Sequence, residues 1–346
     1  MTRLITMKEI AVAAGVSTAT ISRALGTHPR IPDATRQRIR KLAISLGYRP
    51  NPLLSAYARQ RRGKTLGAEI ATLAYVTNFP TADEWRGNTF YQLLFKGAVA
   101  QARRNGYKLE HFWLREPGMT GKRLSGILDS RGISGVCIAP TPVVRRIDLE
   151  WSRFCCVTIG YSLLQPLLHR TAPHHFQAVL IASRKLWRLG YTRIGLCIKA
   201  ATSPQVNDLW LAGALVTQQQ NPQTPLKVFL YEETSRGDIP AWIAKERLEV
   251  ILSDNPQALR DLTRGGAQAA DNVSFITLNW TRHEADVAGI DQRPGAIGAA
   301  AMDLLFGLLQ RGERGIPKIP ITSMIDGEWI GGSRVAAKSD LLHESP

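Results

Sequence analysis

Residues 7–25 read MKEIAVAAGVSTATISRAL. Two helical patterns flank a turn at Gly15-Val16-Ser17. Ile10, Ala11 and Ala14 fall on one face of the first, and Val16, Ile21 and Leu25 can close over it from the second. Ser17 suits the N-cap of the second helix, its hydroxyl accepting a backbone N–H of the first turn. Gly15 suits the turn, where φ can be positive at no steric cost. The residues left facing outward are Thr18, Ala19, Ser22 and Arg23: short side chains first, then one long cation. A helix patterned this way can enter the major groove by its N-terminal half, so the stretch reads as helix-turn-helix. The plainer alternative is an ordinary helical hairpin with a small core.

The residues that follow extend this reading. Residues 33–46 form a third helical pattern, with Ile39, Leu42 and Ala43 apolar among Arg36, Arg38, Arg40 and Lys41; Pro32 stands near its first position. Residues 47–64 read GYRPNPLLSAYARQRRGK. Asn51-Pro52 is N-cap plus N1 of a short helix through about residue 58, with Leu53, Leu54 and Tyr57 on one face. Eight residues do not hold a helix in water alone, so this segment is expected to fold only against DNA and its symmetry mate. Arg59, Arg61, Arg62 and Lys64 then form a charged connector. Residues 1–64 hold 13 Lys and Arg against Glu9 and Asp33, so +11 of the chain's +16 lies there. That is the charge distribution of a nucleic-acid-binding head on a nearly balanced body.

The remaining 282 residues change character. Apolar strand patterns alternate with amphipathic helices, implying parallel sheets covered on both faces. Strands are expected near 70–76, 107–114, 135–140, 154–160, 192–198, 226–231, 250–253 and 273–278. Helices are expected near 89–104, 121–130, 174–189, 206–219, 239–245, 256–265 and 294–311. These strands are too many for one compact sheet, so two lobes are expected. No apolar run approaches the ~20 residues of a membrane span, and residues 1–12 carry no leader-like run, so cytoplasmic residence is expected. Cys137, Cys155, Cys156 and Cys197 have no zinc spacing and read as buried thiols. The neighbours Cys155 and Cys156 should point to opposite faces of a strand. No phosphate loop, nucleophile elbow or dinucleotide fingerprint is present, so no catalysis, cofactor or metal is expected.

The segments ITMKEIAVAAGVSTATISRAL (5–25) and TRQRIRKLAISLGYRPN (35–51), with the Asn-started hinge, resemble the lactose-repressor (LacI/GalR) family of bacterial transcription regulators. The resemblance implies a helix-turn-helix head at 1–49, a hinge and linker at 50–64 and a two-lobed, periplasmic-binding-protein-like core at 65–346. The chain would cross between lobes three times, giving an N-lobe of about 66–172 and 293–323 and a C-lobe of about 173–292 and 324–346. It also implies a homodimer on a pseudopalindromic operator, acting as a repressor under a small-molecule effector, a sugar or related metabolite. Thr18, Ala19 and Arg23 would meet base edges; Ser17, Ser22, Thr35 and Tyr48 would contact phosphates. In the family a Leu six residues after the hinge Asn wedges into the minor groove. Counted from Asn51 that position is Tyr57, and either Tyr57 inserts or Leu54 supplies the wedge.

The cleft departs from the family. An Asp is common where this chain has His174, an effector-binding Arg where it has Trp210, and an Asp where it has Asn279. The usual sugar or purine contacts therefore do not transfer, and a neutral or weakly polar effector is expected. Trp210 and Trp280 can stack on a ring or simply pack in the core. Asn78, Phe79 and Trp85 after the first strand, and Gln292 in the Gly289–Gln292 crossover, are further effector-binding candidates. His174 and His175 open a helix after Pro173 with no carboxylate nearby in sequence, a poor metal or acid–base site and a better polar edge to the cleft. Two other classes stay in view: a two-lobed binding protein of transport type, and an enzyme with a DNA-binding appendage.

Overall fold

The computed structural model describes residues 6–25, 31–46, 71–143, 145–255, 273–281 and 286–338. Tyr48, Asn51, Leu54, Tyr57, the 59–64 connector and the helix expected at 256–265 lie outside the described residues, as does the side chain of Ser22. The chain divides into two units, Met1–Ile70 and Ala71–Pro346.

In the first unit, α1 (Met7–Ala14) starts with a capping box. The Glu9 N–H donates to Thr6 Oγ1 at 3.4 Å, and the Thr6 N–H donates to Glu9 Oε2 at 2.7 Å. It ends at Gly15, whose φ of 65° is left-handed; an added Cβ would meet nothing within 4 Å, so the backbone angle alone calls for glycine. Helix α2 (Thr18–Leu25) is capped as the sequence suggests, Ser17 Oγ accepting the Thr20 N–H at 3.1 Å. Helix α3 (Asp33–Ser45) begins where expected; Pro32 directly precedes it, and its carbonyl accepts the Arg36 N–H at 3.0 Å. Ile10, Ile21 and Ile39, one from each helix, are wholly buried together, with Ala11, Ala24 and Ala43 between them. Each such isoleucine contributes roughly 1.5–3 kcal/mol through its burial. That core leaves the Thr18–Ala19–Arg23 face of α2 exposed.

The second unit is built on two six-stranded sheets. The first contains β1 (Ala71–Thr77), β2 (Tyr107–Trp113), β3 (Gly135–Ile138), β5 (Cys155–Ile159), β7 (His169–Pro173) and β13 (Thr322–Ile325), in the order β13-β7-β5-β3-β1-β2 and all parallel. The strands β4 (Arg145–Arg146) and β6 (Leu163–Gln165) form a small separate ribbon. The second sheet contains β8 (Ile194–Lys199), β9 (Lys227–Tyr231), β10 (Val250–Ser253), β11 (Ser274–Thr277), β12 (Gly289–Asp291) and β14 (Glu328–Ile330), in the order β14-β12-β11-β10-β8-β9. Its edge strand β14 runs antiparallel to β12, a departure from the wholly parallel sheets expected.

Helices cover both faces of each sheet. On the first sheet, α4 (Thr89–Arg104) and α9 (Pro294–Arg311) pack on one face with Leu73, Tyr75, Cys137 and Cys155. Helix α5 (Gly121–Ser130) packs on the other with Ala74, Val76, Val136 and Cys156. Cys155 and Cys156 thus serve opposite cores, as strand alternation requires. On the second sheet, α6 (His175–Arg188) and α7 (Leu209–Gln220) cover Leu196, Ile198, Leu252 and Ile276, while α8 (Ile239–Glu246) covers Cys197, Ile251 and Phe275. The chain passes between sheets after Pro173, after Asp291 and after Ile325; β13 stays on the first sheet past the 323 boundary expected.

None of the four cysteines is in a disulfide, and all four are buried. Burial pushes the Cys137 and Cys156 thiols far up and that of Cys197 up to about 12. Ellman's reagent is therefore expected to label none of the four in the native chain and all four in denaturant. Rapid native labelling of any one would contradict this packing.

Candidate functional site

Two surfaces can carry function. The first is the outward side of the head. Thr18, Ala19 and Arg23 are exposed along α2, and Lys8 of α1 and Arg38 and Lys41 of α3 are exposed on the same three-helix unit. Thr35 is half-buried, and Ser17 Oγ, besides capping α2, lies 2.9 Å from Thr20 Oγ1. Exposed cations on a unit that also presents short side chains suit contact with phosphates and base edges.

The second is a cavity of about 550 Å³ in the second unit, at the C-terminal ends of strands from both sheets. Open α/β sheets place ligands there, because loops at that end converge and helix N-termini point toward them. The first sheet contributes Asn88–Tyr91 at the start of α4, Thr141 beyond β3, and Tyr161 and Ser162 beyond β5. The second contributes His175 at the start of α6, Thr202, Trp210, Asp254 beyond β10, and Thr277 and Asn279 at β11.

Four of these residues hold a buried polar atom with no hydrogen-bond partner: Tyr161 Oη, His175 Nδ1, Trp210 Nε1 and Asp254 Oδ1. Such atoms are costly in a protein interior, and four of them around one cavity form a donor and acceptor set suited to a ligand. The His175 and Trp210 rings meet edge to face at 4.9 Å, Tyr161 lies 6.3 Å from His175, and the Arg170 guanidinium sits 5.2 Å from the Tyr161 ring. Burial, and then the neighbouring His174, depress His175 to about 3, so its imidazole is neutral at physiological pH. Burial raises the Asp254 carboxyl above its ordinary range, against the Thr202 hydroxyl that donates to it.

Of the residues singled out from sequence, His175, Trp210 and Asn279 line this cavity. Trp210 is also a core residue, 1% exposed, so packing and cleft-lining are one position rather than alternatives. The others do not line it. His174 precedes α6 and its Nδ1–H donates to Asp326 Oδ1 at 2.6 Å, joining two crossovers; its neighbour His175 takes the cleft position. Phe79 is buried behind the wall, edge-on to Tyr91 at 5.3 Å, and its carbonyl accepts from Trp113 Nε1 at 2.9 Å. Trp85 is buried against Phe95 at 5.1 Å and His111 at 5.4 Å, and Asn78 is buried at the end of β1. Gln292 is wholly buried and donates to the Leu278 carbonyl at 2.7 Å, tying the β12 end to the β11 end. Trp280 lies outside the lining too, its backbone N–H donating to the Ile290 carbonyl at 2.9 Å. Asp254 and Tyr161 are the residues sequence reasoning passed over. Asp254 directly follows the apolar strand VILS, and Tyr161 follows CCVTIG. Inspecting the residues just past every strand's C-terminal end would have found both.

Among the described residues no three His, Cys, Asp or Glu side chains gather as a metal site, and no helix is long and apolar enough to cross a membrane.

Comparison with known proteins bears on the head and on the fold. Residues 6–51 match the family model of bacterial regulatory proteins, lacI family. The repressor CytR of Escherichia coli (strain K12) is 24% identical over 195 residues, covering 56% of this chain and 53% of CytR. The regulator PtxS of Pseudomonas plecoglossicida is 35% identical over 106 residues, 30% of this chain and 27% of PtxS. The chain thus spans about half the length of CytR, and less of PtxS, in these matches. Among solved structures, the regulator CelR–cellobiose complex aligns with a TM-score of 0.57 at 17% identity, covering 94% of this chain and 98% of that one. The lac repressor dimer bound to operator and the anti-inducer ONPF aligns at 0.54 and 17% identity, covering 97% and 100%. Residues 6–51 thus carry the signature of the lacI family of bacterial regulatory proteins, and the rest of the chain shares the fold of these solved regulators.

Proposed function

We propose that this protein is a sequence-specific transcription regulator, a repressor, that binds a pseudopalindromic operator as a homodimer and responds to a small-molecule effector in the cleft between its sheets. The observation that carries this is the coincidence of the family match at 6–51 with a three-helix unit whose second helix leaves Thr18, Ala19 and Arg23 exposed. On this reading residues 1–49 read DNA, 50–64 form the hinge with Tyr57 as its wedge, and the remainder binds effector and pairs the subunits. It acts in the bacterial cytoplasm, on the nucleoid when bound to its operator, and it is not an enzyme. Solved structures that resemble it include complexes with cellobiose and ribose, which supports a sugar or sugar-related effector. Effector contacts fall to Trp210, Asn279, Tyr161, His175 and Asp254, while Phe79, Trp85, Asn78, His174 and Gln292 support the cleft from behind. Effector binding changes function only through unequal affinity for two arrangements of the lobes.

Selection of the full chain against a random duplex pool tests the reading: an enriched inverted repeat is expected, and enrichment of no sequence would refute it. The Trp210→Phe variant keeps the aromatic bulk and removes the Nε1 donor. It should bind the selected operator as the wild type does while losing about tenfold in effector response, the worth of one hydrogen bond of roughly 1–1.5 kcal/mol.

A further inference from the structure

We propose that the cleft selects a ring ligand bearing an amine, an amino-substituted polyol, and that Asp254 is the residue that sets this preference. The inference deepens the effector reading above and rests on it. Its basis is the charge inventory of the cavity. In a chain of net charge +16, the described lining residues include no lysine and no arginine, and one carboxylate, Asp254. The one histidine among them, His175, stays neutral and supplies no counter-charge.

Asp254 is incompletely satisfied. The Thr202 hydroxyl and the backbone N–H groups of Asp254 and Asn255 donate to the carboxylate, while Oδ1 is buried with no partner. Lys199 acts on Asp254 through space, but its ammonium donates to Glu233 Oε1 at 2.6 Å. A buried carboxylate with one oxygen unpartnered is under-compensated and gains from a further donor, most of all a charged one. A ligand hydroxyl would fill a lone pair and leave the charge; an ammonium does both. A ligand phosphate or carboxylate would set like charges together in a site of low dielectric. The neutral effector expected from Trp210 and Asn279 alone therefore gives way to a cationic one.

The rest of the wall fits a hydroxylated ring. Trp210 Nε1 can only donate, so it meets a ligand oxygen, whereas Tyr161 Oη can donate or accept. Phe90, Tyr91 and Tyr161 offer aromatic surface to the C–H face of a ring and to a nearby cation. The volume of about 550 Å³ lies within the usual range for small-ligand sites.

Isothermal titration of the full chain with matched sets tests the proposal: D-glucose, D-glucosamine, N-acetyl-D-glucosamine and D-glucose 6-phosphate, and the galactose counterparts. In at least one set the amine should bind about tenfold or more tighter than the parent sugar and the N-acetyl form, with no heat from the phosphate. In the Asp254→Asn variant, confirmed folded by circular dichroism, the amine should lose that advantage. Tighter binding of a phosphate or a neutral sugar, an amine preference that survives Asp254→Asn, or no binding by any member would each overturn the proposal. Should the variant fail to fold, the wild-type ranking decides alone. Operator selection, run separately, shows whether the regulator reading stands or falls independently of this ranking.

Discussion

Raising the salt from 50 to 200 mM is expected to weaken operator binding by roughly a thousandfold or more, the loss that accompanies six or more neutralised phosphates per complex. The head supplies the charge: +11 within residues 1–64 of each subunit, with Lys8, Arg23, Arg38 and Lys41 exposed in its described part. Within this basic surface Arg23 differs in kind. It stands on the exposed face of α2, a turn after Thr18 and Ala19, where the long side chain can reach a base edge while the short ones let the helix approach. The Arg23→Ala variant should lose about 1–3 kcal/mol for the selected operator and far less for unrelated duplexes. Lys41→Ala should weaken all duplexes alike and lower the log–log salt slope by roughly 0.9 for each phosphate that the missing ammonium no longer neutralises. Fluorescence anisotropy titrations at two salt concentrations give both quantities. Unchanged operator affinity in Arg23→Ala would remove that residue from the reading face.

The second large effect concerns stability, and it contrasts two glycines within helices. At Gly298 in α9, a Cβ would overlap the Leu94 carbonyl and stand 2.9 Å from the Ala98 amide of α4. Gly97 of α4 makes the reciprocal approach to the Gly295 carbonyl. Both neighbours are backbone, so neither can swing away, and the helices must separate over Leu94, Ala98, Ile297 and Ala301, all wholly buried. Gly298→Ala is expected to cost about 1–3 kcal/mol despite the better helix propensity of alanine. At Gly126 in α5, which is exposed, a Cβ would meet nothing within 4 Å, and Gly126→Ala should stabilise by roughly 0.5–1 kcal/mol. Urea unfolding of the wild type and the two variants would show the opposite signs. A stabilised Gly298→Ala protein would mean that α4 and α9 do not meet at these glycines.

The head was legible from sequence because its determinants are local. The Ile10–Ile21–Ile39 core, the left-handed Gly15 and the Ser17 cap each follow from helical spacing and turn chemistry within one short stretch of chain. The long alternating elements were legible for the same reason: periodicities of 3.6 and 2 are set by the backbone, and they also placed Cys155 and Cys156 on opposite faces. The strands β7, β13 and β14 were not. Residues such as His169–Pro173 carry no alternation of their own and become strands through the neighbours that bond to them. The cleft, too, is a product of tertiary structure. His174 and His175 are adjacent and chemically identical, yet at the start of α6 successive side chains diverge, so one meets Asp326 and the other Trp210. Tyr161 and Asp254 are far apart in sequence and come to one cavity only because both follow strands whose C-terminal ends face it. Sequence by itself determined which elements form and that the head is basic; the register of the sheets decided which polar atoms face the ligand, because a side chain's direction there depends on neighbours remote along the chain.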